Sequence, residues 1–527
     1  MNMPTNNPPS PEEITSEQIT AALAQSHSAD EGVALASLAE TLGDLDLMRR
    51  CLGQAIALDR NCRAALVMLA AQSMDDGDAD GTFALLEEAH RAGVLPEEAA
   101  PLHRALHEQV AGSMQLENYF RAIGRIAADK PAQKLAIVLV TNLFPPQELG
   151  GYGRMMWEFA HGLIARGHTV RVLTSDTTDF SKTPTPDEVA MEQHVFRTLR
   201  MAGTWVAGKG VALTDRAEIV RRLRDNASRV RTAINKLDAD LVLAGNLDFL
   251  GTAVLQPALQ GRVPVLHALA NATPGYGVAE QPKESHYWVA PCSDWNGEVF
   301  REAGYAPTRI ETLYPGARVD RFFRLFLPDT RRLRICYASL MLPYKGANTL
   351  VHALGRLHAA GVDFTAEIAG DAPNADFLKE MQDYVTAHGM EAKVKFTGFL
   401  DRRSLSDLFA RSNVLVFPSQ FNEPFGISQV EALAAGLVVV SSGTGGAKEV
   451  IRDGVDGLLF TAGNDTELAN RLTTLAQQPD LFTQLQRNAQ ARAITFSVEK
   501  SVQKIEALAA EMQAAASIDP LAALIQS

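Results

Sequence analysis

Two carboxylates and one ammonium carry most of the chemistry this chain advertises. Glu423 and Glu431 lie in FNEPFGISQVEALAAG, from Phe421 to Gly436, with seven residues between them. Lys345 stands before Gly346 in the loop of RLRICYASLMLPYKGANTLVHAL. A carboxylate accepts two hydrogen bonds and suits neighbouring hydroxyl groups, while an ammonium donates to anions. The apolar run NVLVFPS before the first glutamate predicts a buried strand ending at Pro418 and Ser419. Pro424 and Gly426 then mark a helix entrance, and Ile427, Val430, Leu433 and Ala434 share one helical face. Glu423 stays in the loop over the helix N-terminus, whereas Glu431 lies about 7.5 Å beyond Gly426 along the axis, at about 1.5 Å per residue. The backbone N–H groups of Phe425, Gly426 and Ile427 would face whatever lies beyond the strand end, which favours anionic or hydroxyl-rich ligands.

Such a pair needs a rigid frame, and the chain predicts two strand-helix series. At Lys134 the texture changes: KLAIVLVTNLFPPQELGGYGRMMWEFAHGLIARGHTVRVLTSD reads as strand, loop, helix, strand, with LAIVLVT apolar throughout, as in a parallel sheet covered on both faces. Gly150 and Gly151, before the helix, let a backbone approach a ligand without Cβ atoms. A dinucleotide-binding fingerprint is excluded here, because nine residues separate Thr141 from Gly151 and Met156 occupies the third glycine position. A second series begins at RLRICYA and runs through KVKFTGFL to LVVVSSGTGGAKEVIRDGVDGLLF, where Gly443, Gly445 and Gly446 suit close approach of phosphate or sugar.

With PFG inside the glutamate pair and F-P-S before it, this second half resembles the retaining nucleotide-sugar enzymes of glycosyltransferase family 4. The Pro-rich loop ending in Gly150 and Gly151, the stretch YPGARVDRF, the GFL turn and the closing TFSVEKSVQKIEALAAEM resemble the same family in the same order, from about Lys134 to Met512. The resemblance implies an α/β architecture of two Rossmann-like domains facing a cleft, the GT-B fold, and a metal-independent transfer of a hexose with no cofactor. It implies donor contacts from Gly150, Gly151, Lys345, Gly398, Phe399, Leu400, Glu423, Phe425, Gly426, Ile427 and Glu431. Lys345 would bind the diphosphate, Glu431 the ribose and Glu423 the sugar hydroxyls. His267, with Lys345 and Glu423, is the catalytic candidate, and the leaving phosphate would take the acceptor proton. Two positions depart from the pattern. Ser339 stands where the family has a diphosphate-binding arginine, with Arg318 and Arg321 as compensating candidates, and Ala270, followed by Asn271, stands where it has a histidine.

From Ile14 to Ala128 the pattern is helical, and Gly43-Asp44 recurs as Gly77-Asp78, an offset of 34 shared by Leu35 and Leu69, Leu52 and Leu86, and Ala55 and Ala89. That period resembles tetratricopeptide repeats, with a degenerate third unit around Pro101 to Ile126. The expected layout is a disordered tail at 1–13, helical repeats at 14–130, an acceptor-side domain at 131–325, a nucleotide-sugar domain at 326–495 and a terminal helical segment at 496–527 crossing back to the first Rossmann-like domain. The 527 residues carry a net charge of −13, which offers no broad attraction to nucleic acid. EIVRRLRDNASRVRTAINKL is a local basic helix, capable of peripheral membrane contact. Four cysteines without metal-type spacing, and no signal-like or membrane-spanning run, point to a reducing cytoplasm, with the inner membrane face as a peripheral site. Asp78 with Asp80, and Asp238 with Asp240, read as loop carboxylates rather than a metal-binding pair. Expected partners are a UDP- or GDP-linked sugar and a glycan, lipid-linked or protein acceptor, with a protein partner or self-association through the repeats. The alternative is a catalytically impaired transferase-like scaffold, a reading carried by Ser339 and Ala270.

Overall fold

The computed structural model describes residues 14–94, 98–99, 101–102, 105–106, 133–206, 210–324 and 327–517. The tail at 1–13 and most of the degenerate third repeat lie outside the described residues. Contacts divide the chain into two compact units, one helical and one carrying both main sheets.

The helical unit contains α1 (Ser16–Leu23), α2 (Ala29–Thr41), α3 (Leu45–Leu58), α4 (Arg63–Asp75) and α5 (Ala79–Arg91). The pair α2 and α3 starts at 29 and 45, and the pair α4 and α5 at 63 and 79, so each helix recurs after 34 residues. Gly43 and Gly77 follow α2 and α4 at φ 72° and 78°, the left-handed conformation that suits glycine at a helix end. The aspartate after each glycine caps the next helix: Asp44 Oδ1 accepts from Leu47 N at 3.1 Å and Asp78 Oδ1 from Gly81 N at 2.9 Å. Small residues let the helices close up, since a Cβ on Gly32 of α2 would sit 3.0 Å from Ala55 Cβ of α3.

The larger unit opens with β1 (Ala136–Val140), α6 (Tyr152–Ala165), β2 (Thr169–Ser175), α7 (Pro186–Met191) and β3 (Val195–Leu199). A hairpin of β4 (Gly203–Val206) and β5 (Gly210–Leu213) leads into α8 (Arg216–Leu237), β6 (Leu241–Ala244), α9 (Gln256–Gln260) and β7 (Val265–Leu269). Then come β8 (Tyr287–Pro291), α10 (Asp294–Glu302), β9 (Arg309–Ile310) and α11 (Val319–Phe322). The main strands form a parallel sheet in the order β3-β2-β1-β6-β7-β8-β9. Alternate residues of β1 serve different cores: Ile137 and Leu139 face one, Val138 and Val140 the other. That double burial explains the unbroken apolar run.

The second half runs β10 (Leu333–Ala338), α12 (Ala347–Ala359), β11 (Phe364–Ala369), α13 (Ala375–Ala387), β12 (Val394–Gly398), α14 (Arg402–Arg411) and β13 (Val414–Phe417). It continues through α15 (Ile427–Ala434), β14 (Val438–Ser441), β15 (Leu458–Leu459), α16 (Asp465–Gln477), α17 (Pro479–Ile494) and α18 (Val498–Ser517). Its sheet is again parallel, in the order β12-β11-β10-β13-β14-β15. The last helix returns to the first half: Val502, Ile505, Leu508 and Met512 of α18 share a core with β1 and α6. Arg166 at the end of α6 holds Glu506 through Nε at 2.6 Å and Nη2 at 2.8 Å. Among the described residues no helix is long and apolar enough to cross a membrane.

In each sheet the strand order reverses direction at one point, between β1 and β6 in the first and between β10 and β13 in the second. The loops leaving the carboxyl ends of such neighbours diverge and leave a crevice, the usual binding place of an open α/β sheet.

Candidate functional site

At the second reversal point, β10 and β13 deliver the two groups singled out by spacing. The chain leaves β13 through Pro418 and Ser419, passes Glu423, and enters α15 behind Gly426, whose φ of 102° only glycine adopts readily. Glu423 Oε1 accepts two hydrogen bonds, from Lys345 Nζ at 2.6 Å and from Ser419 Oγ at 2.7 Å. Lys345 arrives from the loop after β10 on a backbone fitted tightly to the other loop. Gly346 has φ 75°, and a Cβ there would lie 2.0 Å from the Pro418 carbonyl oxygen. Gln420 N and Phe421 N both donate to Tyr344 O, at 2.8 and 3.2 Å. α15 begins at Ile427, four residues after Glu423, and its first amides have no carbonyl one full turn back to bond.

Glu431 sits on α15 at 2% exposure, and its Oε1 lies 2.7 Å from Arg402 Nη2 of α14. The positive charge of Arg402 also acts on the Glu158 carboxyl of α6. Burial pushes the Glu158 carboxyl up to about 7, against the pull of Arg318, Arg402, Arg321 and Arg154. Of the two arginines considered as substitutes for the missing one, Arg318 lies 3.9 Å from Glu158 and Arg321 pairs with Asp187. Ser339 itself is packed through its backbone, its carbonyl oxygen 1.8 Å from where a Gly370 Cβ would be.

The remaining candidates fall in different places. Gly398 ends β12 at φ 71° and its carbonyl accepts from Gly370 N at 2.8 Å, while Phe399 beside it is 64% exposed and Leu400 half-buried. Phe425 is buried and Ile427 partly so. Gly445 and Gly446 are spaced for the protein's own backbone rather than for a ligand. A Cβ on Gly445 would be 2.5 Å from the Glu423 oxygen, and one on Gly446 2.1 Å from the Pro424 oxygen and 2.4 Å from Ser293 Oγ. Asp240 Oδ2 accepts from Ala136 N at 2.7 Å, Asp238 caps α8 at φ 51° and Asp78 caps α5, so these carboxylates serve the frame. In the basic helix α8, Arg222 pairs with Glu218 at 2.6 Å and Arg231 bonds Gln260.

His267 corrects the expectation of a catalytic histidine. It lies inside β7 with no exposed surface, Nδ1 2.8 Å from Tyr287 Oη and Nε2 3.1 Å from the Gly245 carbonyl. Burial pushes its pKa down to about 4, so the ring is neutral near pH 7. A neutral ring here donates from Nε2 to Gly245 and accepts at Nδ1 from Tyr287. Its task is to hold the start of the loop after β6. The early position of His267 within an apolar strand was the sequence signal for this, because one face of each strand residue is committed to the core.

The first reversal point holds residues that motif reading missed. A cavity there is lined by Asn142 and Leu143 after β1, by Gly150, Gly151 and Tyr152 at the head of α6, by Asn246 and Asp248 after β6, and by Asn271 after β7. Gly150 and Gly151 are exposed, and a Cβ on either would meet open space, so their loop is unobstructed. Asn142 Nδ2 donates to the Asp248 carbonyl at 3.2 Å, Asp248 N donates to Asn246 Oδ1 at 2.9 Å, and Asn271 Nδ2 lies 3.5 Å from Asp248 Oδ2. Burial raises the Asp248 carboxyl above its ordinary value. Each of these polar residues follows the carboxyl end of a strand, the pattern that would have found them.

Glu449 ties the halves together at one edge, accepting from Asp294 N at 3.0 Å, Trp295 N at 2.8 Å and Tyr314 Oη at 3.1 Å, and so capping α10.

Residues 149–321 match the family model Glycosyltransferase Family 4, and residues 320–492 match Glycosyl transferases group 1. A glycogen synthase of Mycobacterium tuberculosis is 26% identical over 380 residues, which cover 68% of this chain and 90% of the relative. A D-inositol 3-phosphate glycosyltransferase of Streptomyces scabiei is 28% identical over 229 residues, 40% of this chain and 51% of that relative. Among solved structures, a glycosyltransferase from Rickettsia africae has a TM-score of 0.57 at 18% identity, covering 72% of this chain and 99% of its own. Anabaena HepE in complex with UDP-glucose has a TM-score of 0.54 at 22% identity, covering 72% and 100%. Paired parallel sheets with a crevice in each define the GT-B fold. With both family models matched in tandem over 149–492, the chain is a glycosyltransferase enzyme, and its resemblance is to the family 4 type.

Proposed function

We propose that the chain moves a hexose from a nucleotide sugar to an acceptor with retention of anomeric configuration, and that the charge on the leaving nucleotide is met by Lys345 and the first amides of α15 rather than by a metal ion. The observation that carries this reading is the 2.6 Å pair of Lys345 and Glu423 at the mouth of α15, with Glu431 eight residues further on. In the absence of donor the ammonium and carboxylate neutralise each other. A diphosphate placed over the helix N-terminus competes for Lys345, and the freed Glu423 then accepts hydrogen bonds from sugar hydroxyls. Glu431 accepts the ribose diol, with Arg402 yielding one oxygen. Because a phosphate oxygen of the leaving group lies on the same face as the departing bond, it takes the acceptor proton, and the protein's part is placement and charge compensation. A lysine and helix amides form a weaker clamp than a bidentate arginine would, so the diphosphate site at Ser339 leans more on α15.

A relative of the same fold was solved with UDP-glucose, so UDP-linked hexoses are the first donors to try, followed by GDP-linked ones. A thermal-shift screen of the purified chain against nucleotide sugars should raise Tm for one base; at 100 times Kd the stabilisation is about 2.7 kcal/mol. Glu431→Ala should weaken binding of that nucleotide sugar about tenfold or more. Unchanged affinity in the variant would remove the ribose role, and a screen with no responder would remove the donor site.

A further inference from the structure

We infer that Tyr344 and Phe421 are positioning residues for Lys345: their two rings hold its ammonium near the mouth of α15 without neutralising it. This rests on the donor reading above, in which a diphosphate draws Lys345 away from Glu423.

The rings come from different loops, Tyr344 from the one after β10 and Phe421 from the one after β13, and the backbone stitches these loops together. Gln420 N and Phe421 N both donate to the Tyr344 carbonyl, and Phe421 N also lies 3.3 Å from Ser419 Oγ. The ring centroids stand 5.8 Å apart, with the planes inclined at 58°. Lys345 Nζ lies 5.8 Å from each centroid, within the roughly 6 Å at which a ring face attracts a cation. With Tyr344 48% and Phe421 50% exposed, neither ring fills the core. The ammonium therefore has two kinds of partner. Glu423, 2.6 Å away, cancels the charge it holds, and an incoming diphosphate must compete with it. A ring attracts the cation through its quadrupole but carries no net charge, so the full positive charge is left for the phosphate. A lysine stem is flexible, and once Glu423 turns to sugar hydroxyls the two rings still restrain the ammonium. Ser339 adds no cation of its own, which makes the placement of Lys345 matter more.

The test is a double-mutant cycle on the full chain, read by calorimetric titration with UDP and uridine, and with GDP and guanosine as a second pair. Tyr344→Leu and Phe421→Leu should each weaken diphosphate binding about two- to fivefold, and roughly tenfold together, with nucleoside affinity unchanged. Tyr344→Phe, which keeps the ring, should bind the diphosphate as the wild type does. In a Lys345→Met background the leucine substitutions should have no further effect, because the rings act through the ammonium. Equal losses for diphosphate and nucleoside overturn the inference, since the rings would then serve the base or the fold. A leucine effect that persists beside Lys345→Met overturns it too, as do leucine variants that bind the diphosphate like the wild type. In those cases a loss of diphosphate affinity in Lys345→Met alone leaves the donor reading standing. Diphosphate affinity unchanged by Lys345→Met, or no binding of either diphosphate, overturns the donor reading and the inference with it.

Discussion

The two sheets of the larger unit place opposite chemistry at the same topological position. At the second sheet's reversal point stand Lys345 paired with Glu423, Glu431 paired with Arg402, and the N-terminus of α15, two ion pairs whose cations can turn to an anionic ligand. At the first stand three carboxamides and a single carboxylate facing a lone helix N-terminus, equipment for hydroxyl groups. The strand order decides where a crevice opens, and only the few residues past the strand ends decide what enters it.

The largest effect should come from Lys345→Ala. Removing one group aimed at developing charge costs on the order of 10²- to 10³-fold in kcat, and donor turnover measured at saturating acceptor should fall by that much with the acceptor KM little changed. A loss confined to the acceptor KM would remove the donor role of Lys345. A smaller effect is expected at Glu158, whose carboxyl in the folded chain titrates near 7 instead of its ordinary 4.5. The folded state then holds its proton more tightly, so its contribution to stability is complete below about 4.5 and is lost as pH rises through 7. Glu158→Gln should flatten the fall in Tm between those values, and a wild-type Tm that rises across the window would contradict it. The smallest effect on turnover belongs to His267. Its pKa near 4 lies below the ordinary 6.5, so the stability it contributes is present above 6.5 and is lost as pH falls toward 4. His267→Gln should lose about 1–2 kcal/mol through its two hydrogen bonds and lessen that acid sensitivity, while kcat at saturating substrates changes no more than a few-fold. A drop of a hundredfold or more in kcat would restore the catalytic role.

How much of this was legible in the sequence depends on how local each feature is. Glu423, Gly426 and Glu431 sit on one strand-loop-helix passage, and apolar periodicity with glycine placement was enough to lay it out. The two parallel sheets followed from unbroken apolar strands such as AIVLV and VVVS. The cluster of Asn142, Asn246, Asp248 and Asn271 was not legible, because four short polar residues scattered over 130 positions form no motif until strand order brings three loops together. Gly445 and Gly446 misled for a related reason: a glycine signals close approach of some atom, and here that atom belongs to the chain's own Glu423 and Pro424 loop. Arg318 and Arg321 were sensible replacements for a missing cation by proximity in sequence, yet Glu158 and Asp187 face them in space.

The return of α18 to the first half also sets a timetable for synthesis. Residues 498–512 of α18 complete a core that includes β1, and 362 residues separate the start of β1 at 136 from the start of α18 at 498. At roughly 5 to 20 residues per second that is roughly 20 to 70 s. The first half therefore emerges early but closes only once α18 is made, and the apolar face of α6 around Gly162, against which Val498 and Val502 pack, is the surface that a nascent chain must keep from aggregating until α18 arrives.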